Sequence, residues 1–159
     1  KGISYVPQDI HLFGGTIKQN ILGIHKFIDD EWMLECSKTS GTDEFVRMHP
    51  AGYDMPLGER GAGLSGGQRQ SVGIARALIN NSDIWMFDEP TNAMDQMSES
   101  IVLNNLMSKV EGKTLLLVTQ KMSMVDLVDR IIVMNFGSKV LDGPKDEIIN
   151  KLGNSGEKQ

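Results

Sequence analysis

The sequence predicts an α/β domain, a helical subdomain followed by a mostly parallel sheet flanked by helices. Three observations point there. Beyond residue 80 the apolar runs 84–87, 114–119 and 130–135 have strand length and alternate with helix-length stretches at 96–109 and 123–128, the order that builds parallel sheets. Before residue 80 the apolar residues recur at helical spacing instead. Finally, the turn Leu64-Ser65-Gly66-Gly67-Gln68 opens a long helix, and the next apolar run, Ile84-Trp85-Met86-Phe87, ends in the adjacent carboxylates Asp88 and Glu89.

Each element has a local reason. Residues 3–6 read as a strand that Pro7 ends, because proline lacks the N–H a ladder needs. Residues 9–15 form a loop, and Thr16 caps a helix to 22 with Ile17, Ile21 and Leu22 on one face. Asp29 or Asp30 caps the next helix, which buries Trp32, Met33 and Cys36 and ends near Gly41. Thr42 starts a short helix carrying Phe45, Val46 and Met48, and His49-Pro50-Ala51-Gly52 stops it. Glycines and a proline make 53–63 a loop. Ser65 caps the helix that runs to about 79, with Val72, Ala75, Leu78 and Ile79 facing inward. Phe136-Gly137-Ser138 turns into a last strand at 139–141, and Pro144 takes the first position of a final helix ending near Leu152. The chain thus divides into a helical subdomain of about 10–79, an α/β part of 80–152 and a loose polar tail of 153–159.

Composition narrows the function. A chain of 159 residues, 40% hydrophobic and 23% charged, is long enough for one core. Its net charge of −5 and the absence of a Lys/Arg cluster remove the electrostatic footprint of a nucleic-acid partner. No apolar run reaches the ~18 residues of a membrane span. The single Cys36 excludes an internal disulfide and fits a reducing compartment, with the thiol reading as a small buried hydrophobe. His11, His25 and His49 have no partners at metal-ligand spacing. Because it opens in mid-strand without a Met, the chain reads as a fragment of a longer protein, with apolar sheet surface left exposed.

The chemistry lies between Leu64 and Asp95. A Ser-Gly-Gly turn at a helix start aims backbone N–H groups and the positive end of the dipole at an anion. A strand ending in Asp88 and Glu89 carries two carboxylates into a polar site. In this order the two resemble the signature and Walker B motifs of ABC-type ATPases. Tyr5-Val6-Pro7-Gln8-Asp9 followed by Leu12-Phe13-Gly14-Gly15-Thr16 resembles the Q-loop of ABC exporters, and Gly58-Glu59-Arg60-Gly61 resembles their membrane-domain-facing loop. Asp88-Glu89-Pro90-Thr91-Asn92-Ala93-Met94-Asp95 and Asp126-Leu127-Val128-Asp129-Arg130 look most like bacterial type I secretion ATPases, which export RTX toxins or large adhesins.

The resemblance implies a truncated P-loop NTPase domain working with ATP and Mg²⁺. Asp88 would anchor the ion through water, Glu89 would be the general base, and Gln8 would bridge the metal and the attacking water, roles that suit these side chains. Ser65, Gly66, Gly67 and Gln68 would bind the γ-phosphate of an ATP held by a second nucleotide-binding domain, with Asp95 at the dimer seam. Partners would include the transmembrane domains of the same exporter, and the place of work would be the cytoplasmic face of the bacterial inner membrane.

Two departures stand out. Gly-x-x-x-x-Gly-Lys-Ser/Thr is absent: Gly112-Lys113-Thr114 has Met107 where the first glycine belongs, and lies between a helix and a strand, the reverse of a phosphate loop. The chain alone is therefore expected to be inactive. Secondly, Gln120 follows the strand ending in Thr119, where ABC ATPases normally place a histidine. An amide donates to a phosphate oxygen but relays no proton. Two alternatives follow: a non-hydrolysing nucleotide-gated switch in the same assembly, or the head of a chromosome-maintenance or repair ATPase. Against the latter, only about fifty residues separate Gln8 from Leu64, without a heptad run.

Overall fold

The computed structural model describes residues 2–25 and 27–156, in two compact units, 1–120 and 121–159. The first unit runs through β1 (Ile3–Val6), β2 (Gly15–Thr16), α1 (Ile17–Leu22), α2 (Asp30–Thr39), α3 (Thr42–Val46), β3 (Pro56–Leu57), α4 (Gly66–Ile79), β4 (Ile84–Asp88), α5 (Gln96–Val110) and β5 (Thr114–Val118). Four of these helices, α1, α2, α4 and α5, are capped by a short polar side chain, whereas α3 starts after Gly41 without one. Thr16 accepts from the Gln19 N–H, Asp29 from Glu31, Ser65 from Gln68 and Asp95 from Ser98. The 53–63 stretch is more ordered than a loop. It holds a short antiparallel bridge of β3 to β2 and 3-10 turns at Gly52–Asp54 and Glu59–Gly61.

Strands β1, β4 and β5 form a parallel sheet in the order β1-β4-β5, with Val6 opposite Phe87 and Phe87 opposite Leu117. All three carboxyl ends therefore lie along one edge, where open α/β sheets bind ligands. One face carries the core: Ser4, Val6, Trp85 and Phe87 are buried, and the Trp85 and Phe87 rings stack at 5.5 Å. Helix α4 packs against β1, and the Ser4 hydroxyl donates to the Ala77 carbonyl at 2.6 Å. The other face is open, exposing Ile3, Tyr5, Ile84, Leu116 and Val118. The four-residue apolar run of β4 is thus buried on one side only.

The change of pattern near residue 79 is not a division between compact units. Helix α4 packs on α1, α2 and α3 as well as on β1, so helices and sheet share one core. Arg76 of α4 binds the segment after β1 in the same way. Its guanidinium donates to the carbonyls of Asn20 at 2.7 Å and His11 at 3.0 Å and to the Asn20 side chain at 3.1 Å. Asn20 in turn donates to the Phe13 and Thr16 carbonyls and accepts from the Phe13 N–H. Cys36 is buried, and desolvation pushes its thiol up to about 12, as expected of a packing residue.

The second unit holds a 3-10 segment (Met122–Leu127), β6 (Arg130–Asn135), β7 (Ser138–Pro144) and α6 (Lys145–Gly156). Three expectations are corrected here. Strand β6 pairs antiparallel with β7, in a hairpin separate from the parallel sheet. The turn explains why: Phe136 and Gly137 both have positive φ, the two-residue geometry that permits only antiparallel return. Pro144 ends β7, and α6 begins one residue later. Helix α6 extends to Gly156, so 153–156 are helical; the remainder of the expected tail, 157–159, lies outside the described residues.

Candidate active site

Three strand ends bring the catalytic candidates to one sheet edge. Gln8 follows β1 and is exposed. Asp88 is the last residue of β4, half-buried and in register with Val118. Glu89 comes next, and its N–H donates to the Val118 carbonyl at 2.8 Å. Its φ is +46°, uncommon for a residue with a side chain and found where surrounding bonds over-determine the backbone. The Glu89 carboxylate accepts from the Gln120 N–H at 3.1 Å and the Thr119 hydroxyl at 3.3 Å. Gln120 thus meets Glu89 through its backbone rather than its side chain amide.

The Ser65-capped helix start forms a second cluster. Ser65 and Gln68 make a reciprocal capping box: the Gln68 N–H donates to the Ser65 hydroxyl at 3.1 Å, and the Ser65 N–H to the Gln68 side chain at 2.9 Å. The first N–H groups of a helix have no intrahelical acceptor, which leaves this end suited to an anion. Both glycines have a packing reason too. A Cβ at Gly66 would stand 3.0 Å from that of Ala93, and one at Gly67 3.0 Å from the Ala93 carbonyl oxygen and 3.3 Å from the Met94 Cα. Gly66 and Gly67 therefore let α4 approach the 93–94 backbone just beyond Asp88 and Glu89.

Asp95 has a definite local partner. Its carboxylate accepts from the backbone N–H of Ser98 at 2.9 Å and its hydroxyl at 2.8 Å, capping α5. These bonds hold the Asp95 carboxyl below the usual carboxylate range.

The sequence reading missed Gln70. Only 4% exposed, it donates to the Glu89 carbonyl at 3.2 Å and accepts from the Ala93 N–H at 2.8 Å. A glutamine on the otherwise buried stripe of an amphipathic helix was the available signal, since a buried amide needs partners.

Among the described residues no helix is long and apolar enough to cross a membrane. Comparison with known proteins gives concordant matches. The family model described as ABC transporter matches residues 1–92. The ABC transporter ATP-binding protein y4gM of Sinorhizobium fredii is 38% identical over 151 residues, covering 95% of this chain and 26% of that protein. The leukotoxin translocation ATP-binding protein LktB of Mannheimia haemolytica is 40% identical over 147 residues, covering 92% of this chain and 21% of that protein. The structure of a bacterial Atm1-family ABC exporter with ATP bound aligns at a TM-score of 0.87 and 31% identity, over 94% of this chain and 26% of that one. The chain therefore spans about a fifth to a quarter of the length of these relatives.

Proposed function

The chain belongs to the ABC transporter ATP-binding family, and from that premise we propose that it serves the ATPase of an exporter that moves a protein or toxin across the bacterial inner membrane. Similarity to leukotoxin translocation ATP-binding proteins supports the class of cargo. The observation that carries the catalytic reading is the single sheet edge shared by Gln8, Asp88, Glu89 and Gln120.

In this reading Glu89 takes a proton from the water that attacks the γ-phosphoryl. Thr119 and the Gln120 N–H orient its carboxylate for that task. Gln8 presents an amide able both to donate to a phosphate oxygen and to accept from water. The donors at the edge fit Mg²⁺: a carboxylate and an amide carbonyl are hard oxygen ligands, too few for a closed cage and suited to an ion that keeps water and substrate phosphates. Asp88 and Gln8 would hold it, and the ion would neutralise charge on the phosphates. The N-terminus of α4, with Ser65, Gly66, Gly67 and Gln68, would meet the γ-phosphate of an ATP held by a second nucleotide-binding domain, with Asp95 at the seam. Transmembrane domains of the same exporter would convert closure and opening of that pair into transport.

The test is phosphate release by the full-length protein carrying this chain, with ATP and Mg²⁺ and then with Mg²⁺ chelated. Release that depends on both is expected; ATP retained without release would favour the nucleotide-gated switch. Restoring histidine at 120 checks the departure at that position. Gln120→His is expected to raise kcat several-fold, about one kcal/mol of barrier, and an unchanged kcat would mean that Glu89 works without a linchpin.

A further inference from the structure

We propose that Gln70 is a positioning residue for Glu89, tying the catalytic carboxylate to the anion-facing helix α4. The inference rests on the reading of Glu89 as general base. Gln70 stands near the start of α4, beyond the Ser65–Gln68 cap, and its buried amide spans the turn after β4. The nitrogen donates to the Glu89 carbonyl at 3.2 Å, and the oxygen accepts from the Ala93 N–H at 2.8 Å. The Glu89 carbonyl also accepts from the Asn92 N–H at 3.1 Å, and the Glu89 N–H is bound to Val118 at 2.8 Å. A non-glycine residue at φ +46° is thereby fixed from both sides of its peptide, and only one of those fixings comes from a side chain on another element.

The geometry couples two events. Gly66 and Gly67 lie against Ala93 and Met94, so a displacement of the α4 start reaches the same short loop through the backbone. Gln70 adds a directed bond from that helix to the residue bearing the base. Movement of α4 when an anion is bound at its N-terminus would shift the Glu89 carbonyl, and with it the carboxylate held by Thr119 and Gln120. Gln70 touches no reacting atom and acts through Glu89 alone.

Two substitutions separate this role from packing. Gln70→Glu keeps the size and the acceptor for the Ala93 N–H, but sets an oxygen against the Glu89 carbonyl where a donor stood. Gln70→Met keeps the bulk and loses both bonds. Measured on the full-length protein, each is expected to lower kcat for Mg-ATP about 10-fold while KM stays within about twofold, the signature of an interaction made in the transition state. In a Glu89→Gln background, Gln70→Glu is expected to cost nothing further, because residues acting through one group are non-additive.

Wild-type kcat in Gln70→Met, or a loss residing in KM, would overturn the inference, as would a further loss in the Glu89→Gln background. Full turnover by Glu89→Gln itself would instead overturn the reading of the base, and the inference with it. A silent Gln70→Glu beside an inactive Glu89→Gln overturns the positioning role alone.

Discussion

Replacing Glu89 by glutamine is expected to lower kcat for Mg-ATP about 100-fold or more while ATP remains bound, the size of effect that loss of a general base produces. The exchange is nearly isosteric. The glutamine oxygen can still accept from the Gln120 N–H or the Thr119 hydroxyl, so the local bonds that hold the side chain are largely kept. What disappears is a group able to take a proton from water. Steady-state phosphate release, measured beside nucleotide retention on the full-length protein, reads the two effects separately. Equal turnover by both proteins would remove Glu89 from the chemistry. Lost binding as well as lost turnover would instead assign it a structural role at the end of β4.

Phe87→Ala is expected to destabilise the fold by about 3–5 kcal/mol, the cost of emptying a buried aromatic site. Phe87 is 2% exposed, stacks on Trp85 and pairs with both neighbouring strands, with Val6 on one side and Leu117 on the other. It is also the residue immediately before Asp88 and Glu89, so a cavity there loosens the strand that carries both carboxylates. Denaturant unfolding followed by tryptophan fluorescence should show a lowered midpoint at unchanged slope. Ile84→Ala supplies the contrast: Ile84 is 41% exposed on the open face of the same strand, and its loss should cost much less. Similar shifts from both variants would mean that the two faces of β4 are equally packed.

The elements with chemical punctuation were legible in the sequence. Thr16, Asp29 and Ser65 cap helices through bonds of a few residues' span, and those bonds form wherever the helix lies. The Ser-Gly-Gly start and the strand-end carboxylates were legible for the same reason: residue type and spacing carry their chemistry. The partner of β6 was not. A strand-length apolar run states that a strand forms, but only the left-handed pair Phe136 and Gly137 sends it back as an antiparallel hairpin. The helical state of 153–156 was also hidden, since Gly153 and the polar residues after it carry weak helix propensity.

By itself, then, the sequence determined the starts of the first five helices and the core stripe of α4, and it supplied the candidates for binding an anion, a hard cation and a water proton. These depend on interactions a few residues long. The tertiary structure alone decided which face of β4 is buried, that α4 joins helices and sheet in one core, and that Gln70 reaches across to Glu89 and Ala93. Those outcomes depend on which elements meet in space. A buried amide 19 residues away in sequence finds its partners only when strand β4 and helix α4 are both in place.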